Sequence, residues 1–261
     1  MEAQQARRAA EILLKTWQAR EVLDALPPEV RPATDADGFS IQRAITEISG
    51  DRRFGWKIAA TSVAGQKHIG VSGPLPGTLL AGRARQAPAT FSLDRNAMRV
   101  AEAEFAFRMG RTLAPRAEPY GVDEVLDAVA TLHPAIEVPD SRYRDFVTAG
   151  GPQLIADNAC ACWFALGEAT PADWRALDLS KHPVRALIGG RVAGEGSGAN
   201  VLGDPRVALT WLANALSRFG TPLSAGEVVT TGTCVVPVAV NPGETVVADF
   251  GPLGHVEVSF E

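Results

Sequence analysis

The sequence predicts an α+β fold, with two helices leading into a curled and mostly non-parallel sheet. Three observations carry this prediction. Before Gly50 the apolar residues follow helical spacing. After it, short β-type runs alternate with Gly and Pro punctuation, and regular helices do not separate them as a parallel βαβ array would require. The chain has 261 residues, enough for one large domain with a small helical appendage.

Taken in order, residues 3–25 place Ala10, Leu13, Leu14, Trp17, Val22 and Leu26 at helical intervals, and Pro27-Pro28 ends the run. Thr34-Asp35 offers an N-cap for a second helix over 35–49, with Phe39, Ile41, Ala44 and Ile45 apolar. Strands are expected at 53–60, 99–109, 133–139, 160–166, 183–192, 227–231, 245–250 and 255–260. Two further helices, 122–130 and 206–219, interrupt them. No repeat of fixed period and no low-complexity tract is present.

Composition narrows the function class. A hydrophobic content of 46% with 21% charged residues is ordinary for a globular protein. The net charge of −5, without a basic cluster, argues against a nucleic-acid partner. Cys160, Cys162 and Cys234 are too few and too irregular for a disulfide framework, and Cys160-Ala-Cys162 lacks the spacing of a zinc or redox pair. Cys160 and Cys162 would share one face of the expected strand 160–166 as buried free thiols. The N-terminus has no apolar signal core, and no apolar run reaches the ~18 residues a membrane helix needs, so a cytoplasmic protein is expected.

The stretch Arg99-Val-Ala-Glu-Ala-Glu-Phe-Ala-Phe-Arg-Met109 carries the most chemistry. Its alternation reads as a half-buried strand with Glu102, Glu104, Ala106 and Arg108 on one face. Two carboxylates converging on a partly buried face are costly unless a cation or proton neutralises them, and carboxylate oxygens favour a hard divalent ion. The competing reading is a solvated strand face. Glu137, in His133-Pro-Ala-Ile-Glu-Val-Pro-Asp140, lies opposite the core-facing Ile136 and Val138 and offers a third carboxylate. On spacing alone, Asp140 or His133 serves nearly as well. Lys57 stands alone within an apolar strand. A desolvated lysine has a lowered pKa and moves protons near neutrality, whereas one that snorkels or pairs with an acid does not. His68 and His255 are isolated, and Gly194-Glu-Gly-Ser-Gly198 lacks the Gly-Lys-Ser/Thr ending of a phosphate loop and reads as a turn.

Several segments together resemble the 2-keto-4-pentenoate hydratase family, within the wider fumarylacetoacetate hydrolase superfamily. They include Gly55-Trp-Lys-Ile-Ala-Ala-Thr-Ser62, Pro74-Leu-Pro-Gly77, Ala101-Glu-Ala-Glu-Phe-Ala-Phe107, Ala135-Ile-Glu137 and Asp140-Ser-Arg142. Ala156-Asp-Asn-Ala159, Gly198-Ala-Asn-Val-Leu-Gly203, Thr230-Thr-Gly-Thr233 and Ala248-Asp-Phe-Gly-Pro-Leu-Gly254 follow in order. The likeness runs over nearly the whole chain from about residue 30.

This resemblance implies a distorted mixed β-roll like the fumarylacetoacetase C-terminal fold, preceded by helices. The chain then divides into an N-terminal helical segment, 1–50, and a catalytic β-roll, 51–261. It further implies homo-oligomers, association with pathway enzymes, Glu102, Glu104 and Glu137 as ligands of Mg2+ or Mn2+, and Lys57 as the active-site lysine. The implied substrate is a small 2-hydroxy-dienoate or its 2-oxo-enoate tautomer, hydrated to a 4-hydroxy-2-keto acid. Alternatives are decarboxylation of 2-oxo-3-hexenedioate, C–C hydrolysis of an acylpyruvate, or a non-catalytic partner role. Two departures bear on substrate choice. Leu75 stands where some members place Asp, and Cys160-Ala161 stands where many carry a hydroxyl residue. Leu75, Cys160 and Arg108 are therefore the candidates for the distal end of the substrate.

Overall fold

The computed structural model describes residues 1–261. Two helices come first, α1 (Ala3–Ala19) and α2 (Asp35–Ser49). Thr34 caps α2 by accepting from Asp37 N–H, Asp37 reciprocates, and Gly50 closes the helix in the left-handed region. The first helix stops at Ala19, earlier than Pro27-Pro28 would require, because Arg20 turns left-handed and its N–H returns to Thr16 and Trp17. Apolar faces of both helices meet in a small cluster around Ala9, Leu13, Ile41 and Ile45, joined by Tyr143.

The sheet-rich part follows as β1 (Arg53–Ala59), α3 (Val63–His68), β2 (Leu75–Leu80), β3 (Ala84–Gln86), β4 (Ala89–Phe91) and β5 (Val100–Met109). Next come α4 (Val122–Leu126), β6 (Val129–Val138), α5 (Gly151–Ala156), β7 (Trp163–Leu166), β8 (Pro183–Ile188) and β9 (Arg191–Ser197). The chain ends with α6 (Pro205–Arg218), β10 (Val228–Thr233), β11 (Val238–Ala239), β12 (Thr245–Asp249) and β13 (His255–Phe260). One sheet has the order β2-β1-β10-β5-β6-β7-β3, with β11 added to β5, and a second runs β4-β13-β12-β8-β9. Pairs β1–β10, β3–β7 and β4–β13 are parallel and the others antiparallel, so the roll is mixed. Phe105 of β5 meets Phe250 edge-on between the sheets, while Phe107 meets Trp174.

Several expected boundaries move. The helix 122–130 shortens to Val122–Leu126, because residues from Val129 onward pair with β5. The expected strand 160–166 begins only at Trp163, and Cys160 lies in a tight turn, so the two thiols do not share a strand face. Residues Gly194 to Ser197 belong to β9 rather than a turn. The short α3, β2 and α5 carry no periodicity long enough to declare them.

The helical segment is tied to the roll by a buried amide. Gln42 of α2 donates to Pro76 O at 2.9 Å and Ile155 O at 2.8 Å, and accepts from Thr78 Oγ1 at 3.0 Å. Phe39 stacks on Phe219 and Trp56 beside it. Replacing Gln42 by Leu is expected to destabilise the fold by about 1–3 kcal/mol for each buried partner left bare. Urea unfolding of wild type and Gln42→Leu measures this, and equal midpoints would contradict it.

Candidate metal centre

Antiparallel register builds the site. Pairing of β5 with β6 sets Glu102 directly opposite Glu137, and Glu104 lies on the same face two residues along. Carboxylate oxygens from the three fall within 4.8 Å of one another. Glu104 and Glu137 are fully buried and Glu102 is half-buried. The other two candidates for third acid lie elsewhere. His133 bonds to Thr131 and to Gly167 O, while Asp140 accepts from Ala97 N–H.

A break in β10 aims donors at the cluster. The register of β10 on β5 shifts between Thr230 and Thr233. There Gly232 takes φ +98° and its N–H donates to Glu104 Oε2 at 2.8 Å, while Thr230 Oγ1 donates to the same oxygen. A Cβ at Gly232 would stand 2.2 Å from Thr61 Oγ1, so only glycine fits.

Lys57 projects from β1 into this cluster, with Nζ 3.1 Å from Glu137 Oε1. It also donates to Ala159 O at 2.9 Å. Gly77 on β2 leaves room for its stem, since a Cβ there would lie 2.8 Å from Lys57 Cγ and 2.2 Å from Asn158 O. The expectation of a lowered lysine pKa is corrected by this geometry. Burial works against the charge, but Glu137, Glu102 and Glu104 outweigh it and raise the pKa above the ordinary lysine value. The proton is held on Nζ by the company of acids.

The carbonyl facing Lys57 belongs to an unusual turn. Asn158, Ala159 and Cys160 all have positive φ, at 50°, 49° and 65°. Left-handed backbone costs non-glycine residues roughly 1–2 kcal/mol each, so something must hold it. A buried ion pair does so. Arg142 Nε bonds to Asp157 Oδ1, its Nη1 donates to Ala161 O at 2.8 Å, and its Nη2 bonds to Asp157 O. Ser141 Oγ and Arg142 N–H donate to Asp157 Oδ2 at 2.9 and 3.0 Å. The Trp17 ring lies 4.5 Å from the Arg142 guanidinium carbon, bringing the tip of α1 into the same support. Sequence reasoning noted the segments Asp140-Ser-Arg142 and Ala156-Asp-Asn-Ala159 without assigning them a task. Their juxtaposition depends on a contact across 15 residues that no local pattern announces.

A cavity of about 790 Å³ opens from Lys57 and Glu102 toward α3. Leu75 and Cys160 line it, as the two departures suggested, and so does His68, which sequence reading had left without a role. Arg108 does not. It sits at the far end of β5, about 20 Å along the strand from Glu102, and donates to Gly226 O at 3.2 Å. Burial pushes the Cys160 thiol up to about 12, so it presents a neutral S–H.

The chain belongs to the fumarylacetoacetate (FAA) hydrolase C-terminal family, whose model matches residues 80–261. Within it, the chain is 34% identical over 264 aligned residues to a 2-keto-4-pentenoate hydratase of Paraburkholderia xenovorans, covering 100% of this chain and 97% of that one. It is 34% identical to a 2-hydroxyhexa-2,4-dienoate hydratase of Comamonas testosteroni, covering 75% and 74%. Among solved structures it superposes on a 4-oxalocrotonate decarboxylase from Pseudomonas putida G7, complexed with magnesium and adipate, with a TM-score of 0.90 and 26% identity over 100% and 99% of the chains. No helix of this chain is long and apolar enough to cross a membrane.

The acid cluster sets a pH dependence. Burial raises all three carboxyl groups, and mutual repulsion adds to this for Glu104; Lys57 opposes it, and Glu137 reaches about 7. An acid whose folded pKa is raised binds more protons folded than unfolded, so its charge costs stability as pH climbs from the ordinary carboxylate value of about 4.3. Without added divalent ions, the protein is therefore expected to be more stable at pH 5 than at pH 8. Glu104→Gln should flatten that slope. Urea midpoints at the two pH values check it, and greater stability of the wild type at pH 8 would refute it.

Proposed function

We propose that this protein is a divalent-metal-dependent hydro-lyase. It adds water to 2-hydroxypenta-2,4-dienoate, or a close homologue, and yields a 4-hydroxy-2-oxo acid. The observation that carries this is the buried Glu102–Glu104–Glu137 cluster beside Lys57 at the charged end of a largely apolar cavity. Full-length similarity to a 2-keto-4-pentenoate hydratase supports the same reaction.

The residues fit a hard cation. Glu104 Oε1 and Glu137 Oε2 are buried without a hydrogen-bond partner, Glu137 Oε1 has only the Lys57 ammonium, and that one ammonium faces three carboxylates. An all-oxygen donor set suits Mg2+, and Mn2+ equally by charge and ligand type. Glu102, Glu104 and Glu137 would hold it. Once bound, the ion supplies Lewis-acid stabilisation of negative charge on the substrate's carboxylate and 2-oxygen.

The chain's own groups account for the rest. With the charge of the three acids offset by a bound divalent ion, they would no longer hold the Lys57 proton, and Nζ beside the reacting acid would serve as the shuttle. In the first step the 2-hydroxyl loses its proton and C5 gains one, giving the conjugated 2-oxo-3-enoate. In the second, the oxygen of water bonds to C4 and a proton reaches C3, so one molecule of water is consumed. Thr230 and Gly232 keep Glu104 oriented throughout, and the left-handed turn keeps the Ala159 carbonyl on Lys57.

A second reading draws on the superposition with 4-oxalocrotonate decarboxylase. Releasing CO2 from a 2-oxo-3-enedioate requires the site to accept a second carboxylate, which is costly to desolvate without a cation. Lys57 is the single Lys or Arg lining the cavity, and the acids already claim it. Hydration is therefore favoured.

Excess EDTA is expected to abolish turnover of 2-hydroxypenta-2,4-dienoate and Mg2+ to restore it, followed by loss of dienoate absorbance. Full activity in the chelator would exclude a metal role. Lys57→Ala should lower kcat by a factor of ~10²–10⁴, the usual range for one positioned acid/base group, while Mg2+ still raises the melting temperature. Dominant CO2 release from 2-oxo-3-hexenedioate over 4-hydroxy-2-oxo acid formation would replace the hydratase by the decarboxylase.

A further inference from the structure

We infer that the preferred substrate carries an apolar tail beyond its dienoate, held by Leu75, Met98, Phe146 and Leu154. This rests on the hydratase reading and narrows its substrate class. The first observation is size. A cavity of about 790 Å³ belongs with the pockets of roughly 300–1,000 Å³ that take drug-sized ligands. A five-carbon acid would leave most of it unfilled.

The second observation is how polarity is laid out along the walls. On the β1–β2 wall, Lys57 lies opposite Gly77, and two residues outward Ala59 lies opposite Leu75. Side chains two apart share a face, so Leu75 sits about 7 Å beyond the level of Lys57 on the same side. On the facing wall, Glu102 is followed outward on its own face by Val100, and then by half-buried Met98. Both walls thus change from charged to apolar in the outward direction. Leu154 of α5 and half-buried Phe146 enclose the outer chamber, where Phe146 also meets His68 edge-on.

The third observation is the rim. Val63 and Val236, at 81% and 78% exposure, are the most exposed large apolar side chains in the molecule. Val236 lines the cavity itself, and Val63 opens α3 between the lining residues Ser62 and Ala64. An apolar tail reaching the mouth would cover Val236, whereas a terminal carboxylate there would find no Lys or Arg.

Saturated 2-oxo acids test this without turnover. Titration of the Mg2+-loaded protein with 2-oxopentanoate, 2-oxohexanoate, 2-oxooctanoate and 2-oxodecanoate is expected to show affinity rising roughly three- to fourfold per added methylene, the factor that follows from burying one CH2. Met98→Asp and Phe146→Asp, both at half-buried positions, are expected to reduce that slope. In parallel, kcat/KM for 2-hydroxydeca-2,4-dienoate should exceed that for 2-hydroxypenta-2,4-dienoate by at least about tenfold. Flat affinity across the series would overturn the tail pocket, whatever reaction the site performs. A steep slope unchanged in both variants would overturn the assignment to these walls. A steep slope that both variants weaken, with no dienoate hydrated, would keep the tail pocket and remove the hydratase reading instead.

Discussion

Three carboxylates gathered against one ammonium are the constraint on which the rest of this structure depends. Cross-strand register makes the gathering unavoidable, because Glu102 faces Glu137 across an antiparallel pair and Glu104 shares their face. Burial then denies the acids the water that would otherwise screen them. Two of their oxygens, Glu104 Oε1 and Glu137 Oε2, have no hydrogen-bond partner within the protein. A chain optimised for stability alone would place apolar residues there, since replacing buried charge by packed hydrocarbon is often neutral or better. The arrangement makes sense as a seat for a cation.

Much of the surrounding structure keeps those charges in place. The break in β10 spends strand pairing to turn the Gly232 N–H toward Glu104, and the left-handed turn at Asn158–Cys160 gives the lysine a carbonyl. That turn is held in turn by Arg142 and Asp157, a buried pair that satisfies backbone groups as well as each other. Strain of this kind persists only where the surroundings over-determine it. The contact of Trp17 with Arg142 and the grip of Gln42 on β2 and α5 extend the support to both N-terminal helices. Those helices act as part of the scaffold of the site, although neither supplies a residue that lines the cavity.

Charge and hydrocarbon divide the cavity between them. Its inner end can hold the polar head of a 2-oxo acid, and its outer walls are mostly hydrocarbon, with His68 and Ser62 the polar side chains beside α3. That division also separates the two reactions open to such a site. A monoacid leaves its far end in apolar surroundings, whereas a diacid would bring an unpartnered carboxylate there. Arg108, whose guanidinium would have supplied a cation to such a carboxylate, lies at the other end of β5.

The sequence by itself determined the α+β class, the long central strand and the face its glutamates share, because a period of two is a local property of extended backbone. It also determined the cap that starts α2, a contact between residues three apart. The ordered motifs that carry the resemblance to the hydratase family are likewise local, each a short run of neighbouring residues. Only the tertiary structure decided that Glu137, rather than Asp140 or His133, joins the pair, since that choice depends on register between strands separated by a loop and a short helix. It likewise reversed the expected direction of the Lys57 pKa. Burial of the lysine was legible from its apolar neighbours, but the acids that outweigh that burial arrive from β5 and β6. The expected strand 160–166 took in Cys160, the last residue of the turn at Asn158–Cys160, because the left-handed backbone there is imposed by Arg142 and Asp157 and not by its own side chains. Electrostatics and strain are properties of the assembled neighbourhood, and a linear pattern records only the part of that neighbourhood that lies within a few residues.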